Sequence, residues 1–141
     1  MREVTLGDVD GLAQLHQESF PKGWDAAQFT ELLGSGVRGW LIAGSAFILI
    51  RTAADEAEII TLATTPSARR QGHAESLLKH AISILCCTTT NRFFLEVRDG
   101  NEAGAALYLK HGFTQIATRS RYYGMPDGTR KDALVMELAL G

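Results

Sequence analysis

Hydrophobic residues between positions 72 and 86 recur every three or four residues, the spacing that places them on one face of an α-helix. The stripe consists of Ala74, Leu77, Leu78, Ala81, Ile82 and Leu85. Shorter stripes follow Thr5 and Asp25, two residues that can cap a helix N-terminus, and they extend to Ser19 and Leu33. The sequence therefore predicts two short helices near the N-terminus and one long helix in the middle of the chain.

Runs of alternating or β-branched apolar residues predict strands at residues 40–43, 46–51, 57–64, 92–97, 113–121 and 131–140. A fourth helix is predicted at residues 101–110, closed by Gly112. Strand, helix and strand in the middle of the chain indicate a parallel crossover, whereas the hairpins on either side indicate antiparallel edges. We therefore predict one α/β (α+β) domain over residues 1–141, built on a mixed and mostly antiparallel central sheet.

Composition narrows the range of partners. The 141 residues carry a formal net charge of -2 and the pI is about 6.1, so no broad positive field is available to hold nucleic acid or an anionic membrane. The most apolar stretch, residues 40–50, is shorter than the ~20 residues that span a bilayer. Cys86 and Cys87 are adjacent, which suits neither a disulfide framework nor a CxxC pair. We expect a cytoplasmic protein that binds neither nucleic acid nor membrane.

A glycine-containing turn joins the strand that ends at Thr64 to the long helix, and it runs from Arg69 to Ala74. Backbone N–H groups at a helix N-terminus, with the positive end of the helix dipole, favour a bound phosphate. Gly72 would let the backbone approach phosphate oxygens closely, and neither a Walker sequence nor G-x-G-x-x-G is present. The turn is a candidate pyrophosphate site without ATP or NAD signatures. A plain loop with two solvated arginines is the alternative.

Two residues further along the chain have the chemistry of acyl transfer. Glu96 lies inside an apolar strand, where loss of hydration disfavours the charged form and suits the carboxylate to accept a proton. Asn101 and Tyr108 are spaced to share one helical face. Transfer to an amine needs a proton acceptor and a proton donor for the leaving group, and Glu96 and Tyr108 match these roles. The alternatives are an ion pair of Glu96 with Arg98 or Arg92, and a purely structural Tyr108.

The turn resembles motif A of the GCN5-related N-acetyltransferase (GNAT) superfamily, Q/R-x-x-G-x-G/A, in sequence and in its place between a strand and a helix. The resemblance implies the GNAT fold, with about seven strands and about four helices, and acetyl-CoA as cosubstrate. In that superfamily the preceding strand carries a bulge and its backbone binds pantetheine, which assigns this role to Leu62, Ala63 and Thr64. The resemblance assigns the phosphates to Arg69, Arg70, Gln71, Gly72, His73, Ala74 and Glu75.

A second set of residues resembles one subgroup, the RimI-type ribosomal-protein-alanine N-acetyltransferases, over most of the chain. The set includes Glu96, Asn101, Tyr108, Tyr122, Tyr123 and the pair Asp132-Ala133. It implies Glu96 as proton acceptor, Tyr108 as proton donor and Asn101 as a cofactor contact. The implied acceptor is the N-terminal α-amine of a small-subunit ribosomal protein that begins with alanine.

Other interpretations stay open on the residues alone. The same fold could acetylate a small-molecule amine or a lysine side chain, or serve as a non-catalytic acyl-CoA-binding module. Lys22 and Gly23 are additional relative to the enterobacterial form, in an early loop that helps to shape the acceptor groove. Tyr122 and Tyr123 could line that groove or only pair across the last strands. We expect no metal, because His16, His73, His80 and His111 lack ligand spacing.

Overall fold

The computed structural model describes residues 1–140, and over that range the chain forms seven strands and four helices. In chain order they are β1 (Arg2–Glu3), α1 (Val9–Ser19), α2 (Ala26–Gly34), β2 (Val37–Ile42), β3 (Ala46–Ala53), β4 (Glu56–Thr64), α3 (His73–Cys86), β5 (Arg92–Arg98), α4 (Glu102–Lys110), β6 (Thr114–Gly124) and β7 (Arg130–Ala139). Short 3-10 turns at Leu6–Asp8 and Pro66–Ala68 precede α1 and follow β4. The four predicted helices and six predicted strands are present, with ends that differ by a few residues. Strand β1 is not among the predictions, because two residues are too few to show alternation.

The strands form one seven-stranded sheet in the order β1-β2-β3-β4-β5-β7-β6. Strands β4 and β5 are parallel, and the other neighbouring pairs are antiparallel. The crossover between the parallel pair runs through α3. A tight turn cannot join parallel strands, because the chain must first return to the end of the sheet where both strands begin. The predicted fold class, a mixed and mostly antiparallel sheet, is confirmed.

Apolar layers cover both faces of the sheet. The predicted stripe of α3 packs on one face, and α1 with α2 packs on the other. Strand β3 lies between them and is therefore buried on both sides, as its run of residues from Ala46 to Ile50 shows. The N-terminus of α2 is held by Asp25, whose carboxylate accepts from the Gln28 N–H at 2.9 Å. No helix within residues 1–140 is long and apolar enough to cross a bilayer.

Strand β4 contains a β-bulge at Ile60. Leu49 of β3 is opposite Thr61 and Ile50 is opposite Ile59, so Ile60 has no partner on β3. Before the bulge Ile59 faces the α3 layer, whereas after it Ala63 faces the α1 layer. The bulge that the resemblance implies is therefore present. It shifts the alternation of β4 by one residue, so that odd-numbered side chains point to opposite faces before and after it.

Strands β4 and β5 separate beyond Glu58. Their parallel register ends at the pair Glu58 and Phe94. Residues 59–64 of β4 have no partner on the β5 side, so the N–H and C=O groups that point to that side have no ladder partner. A cleft opens in the middle of the sheet, and its β4 edge leads directly into the turn before α3.

Candidate active site

The turn before α3 presents free backbone N–H groups. The first intrahelical hydrogen bond runs from the Ser76 N–H to the Gly72 oxygen at 3.0 Å, so the amides of residues 73–75 have no partner within the helix. Gly72 has no side chain to cap them and lies in the left-handed region with φ 78°, as does Arg70 with φ 64°. A Cβ at Gly72 would meet no heavy atom within 4 Å. The turn is open and rich in donors, which are features of an anion site.

Side chains hold the turn without filling it. The Gln71 Nε2 donates to the backbone oxygen of Ser67 at 3.5 Å, and its Oε1 lies 3.1 Å from His73 Nε2. Arg69 and Arg70 are exposed and form no ion pair within residues 1–140. Both guanidinium groups are therefore available to an anion, in addition to the backbone amides.

Glu75, the last residue of the predicted phosphate-binding stretch, has its carboxylate engaged. It accepts from Lys110 Nζ at 2.8 Å, and this hydrogen bond lowers the pKa of Glu75. His111 Nε2 lies 3.8 Å from the same carboxylate. The charge of Glu75 is thus balanced by α4, and its contribution to a phosphate site is limited to its backbone N–H.

The residues predicted to bind pantetheine lie on the open edge of the cleft, in the segment that lacks a β5 partner: Leu62, Ala63 and Thr64. The hydroxyl of Ser19 donates to the Thr64 oxygen at 3.0 Å and so anchors the end of β4 to α1. A polar backbone edge followed by an anion-binding turn is the arrangement that an amide-containing arm with a terminal diphosphate requires. The residues present therefore fit coenzyme A.

Glu96 points to the face of the sheet that carries α1 and α2, opposite to its buried neighbours Leu95 and Val97. Its side chain is 21% exposed, and Arg119 Nη1 donates to its Oε1 at 2.6 Å. The guanidinium of Arg119 also lies over the ring of Tyr122, 4.0 Å from the centroid. Since the Arg119 side chain is 52% exposed, this ion pair is weak and easily exchanged.

The ion-pair partner of Glu96 is Arg119 and not Arg92 or Arg98, the two partners that the sequence suggests. Arg92 is held instead by Glu56 and Glu137, and Arg98 donates to the Met125 sulfur. Arg119 lies on β6, two strands from β5, so only the pairing of β5 with β7 and of β7 with β6 brings it to Glu96.

A second carboxylate, that of Glu58, lies beside Glu96 and was not predicted as a site residue. Glu58 is opposite Phe94 in the parallel register, and Glu96 follows Phe94 by two residues, so both carboxylates are on one face of adjacent strands. Burial raises the pKa of Glu58, the charge of Glu96 raises it further, and Arg51 opposes the shift. Alternation along β4 places Glu58 on this face, but only the register with β5 shows that it adjoins Glu96.

Tyr108 packs its ring in the layer on the α3 side, 5.6 Å from the ring of Phe113. Its hydroxyl has no hydrogen-bond partner within residues 1–140. Burial raises the pKa of the phenol, and the neighbouring phenol of Tyr123 raises it further. The ring is thus structural while the hydroxyl remains protonated and free to donate.

Tyr123 follows a bulge in β6, and Tyr122 lies within it. The register shifts between Arg119 and Tyr123, where Arg121 adopts φ 54° and donates its N–H to Asp132 Oδ1 at 2.9 Å. The Tyr123 hydroxyl donates to the backbone oxygen of Glu96 at 3.5 Å. Burial, and next the charge of Glu96, raise the pKa of Tyr123 to about 12. The bulge thus brings this tyrosine to Glu96.

The loop between α1 and α2 faces these groups across the same side of the sheet. Lys22 Nζ would lie 3.0 Å from a Cβ at Gly124, so the loop reaches the end of β6.

Asn101 lies at the N-cap of α4, and its Oδ1 accepts from the Gly104 N–H at 3.0 Å, which leaves its Nδ2 for another partner. Within the described part of the chain, no group of three or more His, Cys, Asp or Glu side chains could hold a metal.

Residues 9–113 match the sequence profile of the acetyltransferase (GNAT) family. The chain belongs to this family. It is 41% identical over 95 residues to the [ribosomal protein bS18]-alanine N-acetyltransferase of Haemophilus ducreyi, an alignment that covers 67% of this chain and 66% of the relative. It is 38% identical over 96 residues to the enzyme of the same description from Escherichia coli K12, with 68% and 64% covered. The alignments thus span slightly less than two thirds of these relatives.

Solved structures support the same fold. The chain is similar to the ribosomal-protein-S18-alanine N-acetyltransferase from Escherichia coli, with a TM-score of 0.91 at 29% identity over 99% of this chain and 92% of that chain. It also superposes on Ard1 from Thermoplasma volcanium with a TM-score of 0.85 at 24% identity, over 99% and 96% of the two chains, which supports the fold alone. The predicted GNAT fold is therefore confirmed.

Proposed function

We propose that this protein is an acetyl-CoA-dependent N-acetyltransferase that modifies the N-terminal α-amine of a protein. The observation that carries the proposal is the cleft between β4 and β5, which joins an unpaired backbone edge to the anion-binding turn and has Glu96 beside it. In this proposal Leu62, Ala63 and Thr64 bind the pantetheine arm. Residues 69–75 bind the diphosphate, and Asn101 contributes a contact through its free Nδ2.

The residues at the cleft have complementary roles. Acetyl-CoA supplies the thioester whose carbonyl carbon the amine attacks, so that a C–N bond forms and the C–S bond breaks. Glu96 accepts the proton that the amine loses, directly or through a water, and Tyr108 donates a proton to the departing thiolate. An α-amine has a pKa of about 8, so a weakly basic carboxylate is sufficient. An N–H group of residues 62–64 stabilises the oxyanion in this scheme.

The acceptor in this proposal is a small-subunit ribosomal protein with alanine at its N-terminus. The support is the similarity to relatives described as [ribosomal protein bS18]-alanine N-acetyltransferases. Tyr122 and Tyr123 would line the acceptor groove, since Tyr123 contacts the backbone of Glu96. In this proposal the reaction needs no metal. Because the acceptor is a ribosomal protein, the reaction would take place in the cytoplasm.

The proposal is tested by substituting Glu96 with Gln and measuring two quantities separately. We expect the release of free thiol with an alanine-starting peptide to fall by about 10² to 10⁴, the usual contribution of a proton-transfer group. The affinity for acetyl-CoA in calorimetry should stay unchanged. Glu31→Gln, an exposed change on α2, is the matched control and should retain activity. An undiminished rate in Glu96→Gln would remove this residue from the mechanism.

A peptide panel tests the acceptor. It consists of one alanine-starting peptide with a free N-terminus, the same peptide with a blocked N-terminus and an internal lysine, and a small polyamine. We expect thiol release with the first only. Acetylation of the blocked peptide or a preference for the polyamine would overturn the proposed acceptor while leaving the acetyltransferase activity in place.

A further inference from the structure

A buried histidine on α1 uses both ring nitrogens. His16 is only 4% exposed, and its Nδ1 accepts from the Trp24 backbone N–H at 3.0 Å. Its Nε2 lies 3.1 Å from the Thr61 hydroxyl oxygen. Because Nδ1 is an acceptor, the ring proton of the neutral form is on Nε2, which donates to Thr61. One side chain therefore joins the α1–α2 loop to strand β4.

Aromatic rings enclose this histidine. The indole of Trp24 stacks on it with centroids 4.5 Å apart and an interplanar angle of 16°. Phe20 lies at 4.5 Å and Phe29 at 5.5 Å. Phe20 and Trp24 belong to the loop itself, so the imidazole is the surface on which the loop packs.

The loop backbone is seated closely on α1. The Gln17 side chain donates to the Trp24 oxygen at 3.4 Å, so both backbone polar groups of Trp24 are bound by consecutive residues of the helix. A Cβ at Gly23 would lie 2.4 Å from the Gln17 Cα, which only glycine avoids. The tip of the loop, Lys22, extends toward Gly124 of β6. The position of this loop is thus set by its contacts with α1.

We propose that His16 is a positioning residue for the acceptor. Its side chain holds the loop of residues 20–25 at a fixed distance from the part of β4 that binds acetyl-CoA. The proposal rests on the proposed function for the identity of the two ligands. Thr61 is followed directly by Leu62, the first of the predicted pantetheine-binding residues. The imidazole therefore connects the wall that contacts the acceptor to the strand that presents the thioester.

The bridge needs the neutral imidazole, since a protonated ring has no acceptor for the Trp24 N–H. Burial lowers the pKa of His16 to about 4, so the ring is neutral near pH 7. The groups packed around it are aromatic or hydroxyl-bearing: Phe20, Trp24, Phe29, Phe47 and Thr61. The neutral form is thus the working form.

Two substitutions of similar size separate the bridge from general packing. His16→Asn retains an acceptor near the Nδ1 position, whereas His16→Gln retains a donor near the Nε2 position and loses the acceptor for Trp24. Each loses the ring and its stacking. We expect the peptide KM to rise about tenfold in His16→Gln, as loss of a buried hydrogen bond implies, and clearly less in His16→Asn. The dissociation constant of acetyl-CoA should stay within about twofold of the wild-type value in both.

A purely structural role would give a different result. It would lower the amount of folded enzyme and hence kcat, equally in the two variants, without raising the peptide KM. Equal peptide KM values in His16→Gln and His16→Asn, or a parallel loss of acetyl-CoA affinity, would overturn the proposal. Thr61→Val keeps His16 in place and removes only the β4 link; it should raise the peptide KM by a smaller factor, and an unchanged KM would contradict the bridge.

Amide hydrogen exchange distinguishes failure of this proposal from failure of the proposed function. The Trp24 N–H should exchange faster in His16→Gln than in the wild type and His16→Asn, whether or not a peptide is acetylated. If the wild type acetylates no peptide, the proposed function fails, and exchange at Trp24 alone decides whether His16 holds the loop. An unchanged Trp24 exchange rate in His16→Gln would refute the positioning role.

Discussion

Substitution of Gly72 by alanine separates backbone strain from ligand binding. Gly72 has φ 78°, in the left-handed region, and the added Cβ would meet no protein atom within 4 Å. The folding cost is therefore the conformational one, about 1 to 2 kcal/mol, which lowers the melting temperature by a few degrees in a domain of this size. In the proposed complex the same Cβ projects from the turn that holds the diphosphate. Loss of one or two charge-assisted hydrogen bonds raises the acetyl-CoA Kd by about tenfold or more.

Gly36→Ala is the matched control. Gly36 has φ 84°, and a Cβ there also meets nothing within 4 Å, but it lies in the turn before β2. Differential scanning fluorimetry should show similar losses of stability in the two variants. Isothermal titration with acetyl-CoA should show weaker binding in Gly72→Ala only. Equal affinities in both variants would refute the placement of the diphosphate at the start of α3.

Three further changes test separate parts of the account. Tyr108→Phe should lower kcat in the thiol-release assay by roughly 10² or more, since it removes the proposed proton donor. The melting temperature should change little, because the Tyr108 hydroxyl has no hydrogen-bond partner within residues 1–140. An unchanged kcat would exclude the phenol as proton donor. Folding lowers the pKa of His16 from 6.5 to about 4, so between these pH values the unfolded chain binds more protons than the folded chain. The stability that neutral His16 contributes is therefore complete above pH 6.5 and is lost as the pH falls to 4. The loss is on the order of 3 kcal/mol in urea unfolding, and His16→Phe should show a smaller dependence over this interval; equal slopes would contradict it. Glu58→Gln removes the carboxylate beside Glu96, so it should raise the KM of the alanine-starting peptide about two- to fivefold without changing acetyl-CoA affinity. An unchanged KM would show that Glu58 does not act on the acceptor.

The elements that the sequence predicts well are those with local signals. The apolar stripe of α3 spans about three turns and meets a continuous core, so its position follows from periodicity. The turn at Gly72 is likewise local, since the glycine at the N-cap and the helix that follows are adjacent in the chain. Glu96 and Tyr108 lie on the predicted strand and helix, and their roles as proton acceptor and proton donor stay predictions.

The parts that could not be predicted depend on contacts between distant segments. The register of β4 with β5 decides where the cleft opens and places Glu58 beside Glu96, yet nothing in either strand alone specifies it. Arg119 reaches Glu96 through the order of β5, β7 and β6, in which sequence neighbours are not always strand neighbours. The two hydrogen bonds of His16 join residues up to 45 positions apart, so helical spacing along α1 cannot reveal them.

In the proposed complex, acetyl-CoA lies along the open edge of β4 with its diphosphate at the start of α3. A titration with acetyl-CoA, followed by two-dimensional amide NMR, tests this placement residue by residue. We expect the largest shifts at the N–H groups of residues 62–64 and 72–75. No shifts at saturating acetyl-CoA, or shifts confined to other parts of the chain, would contradict it.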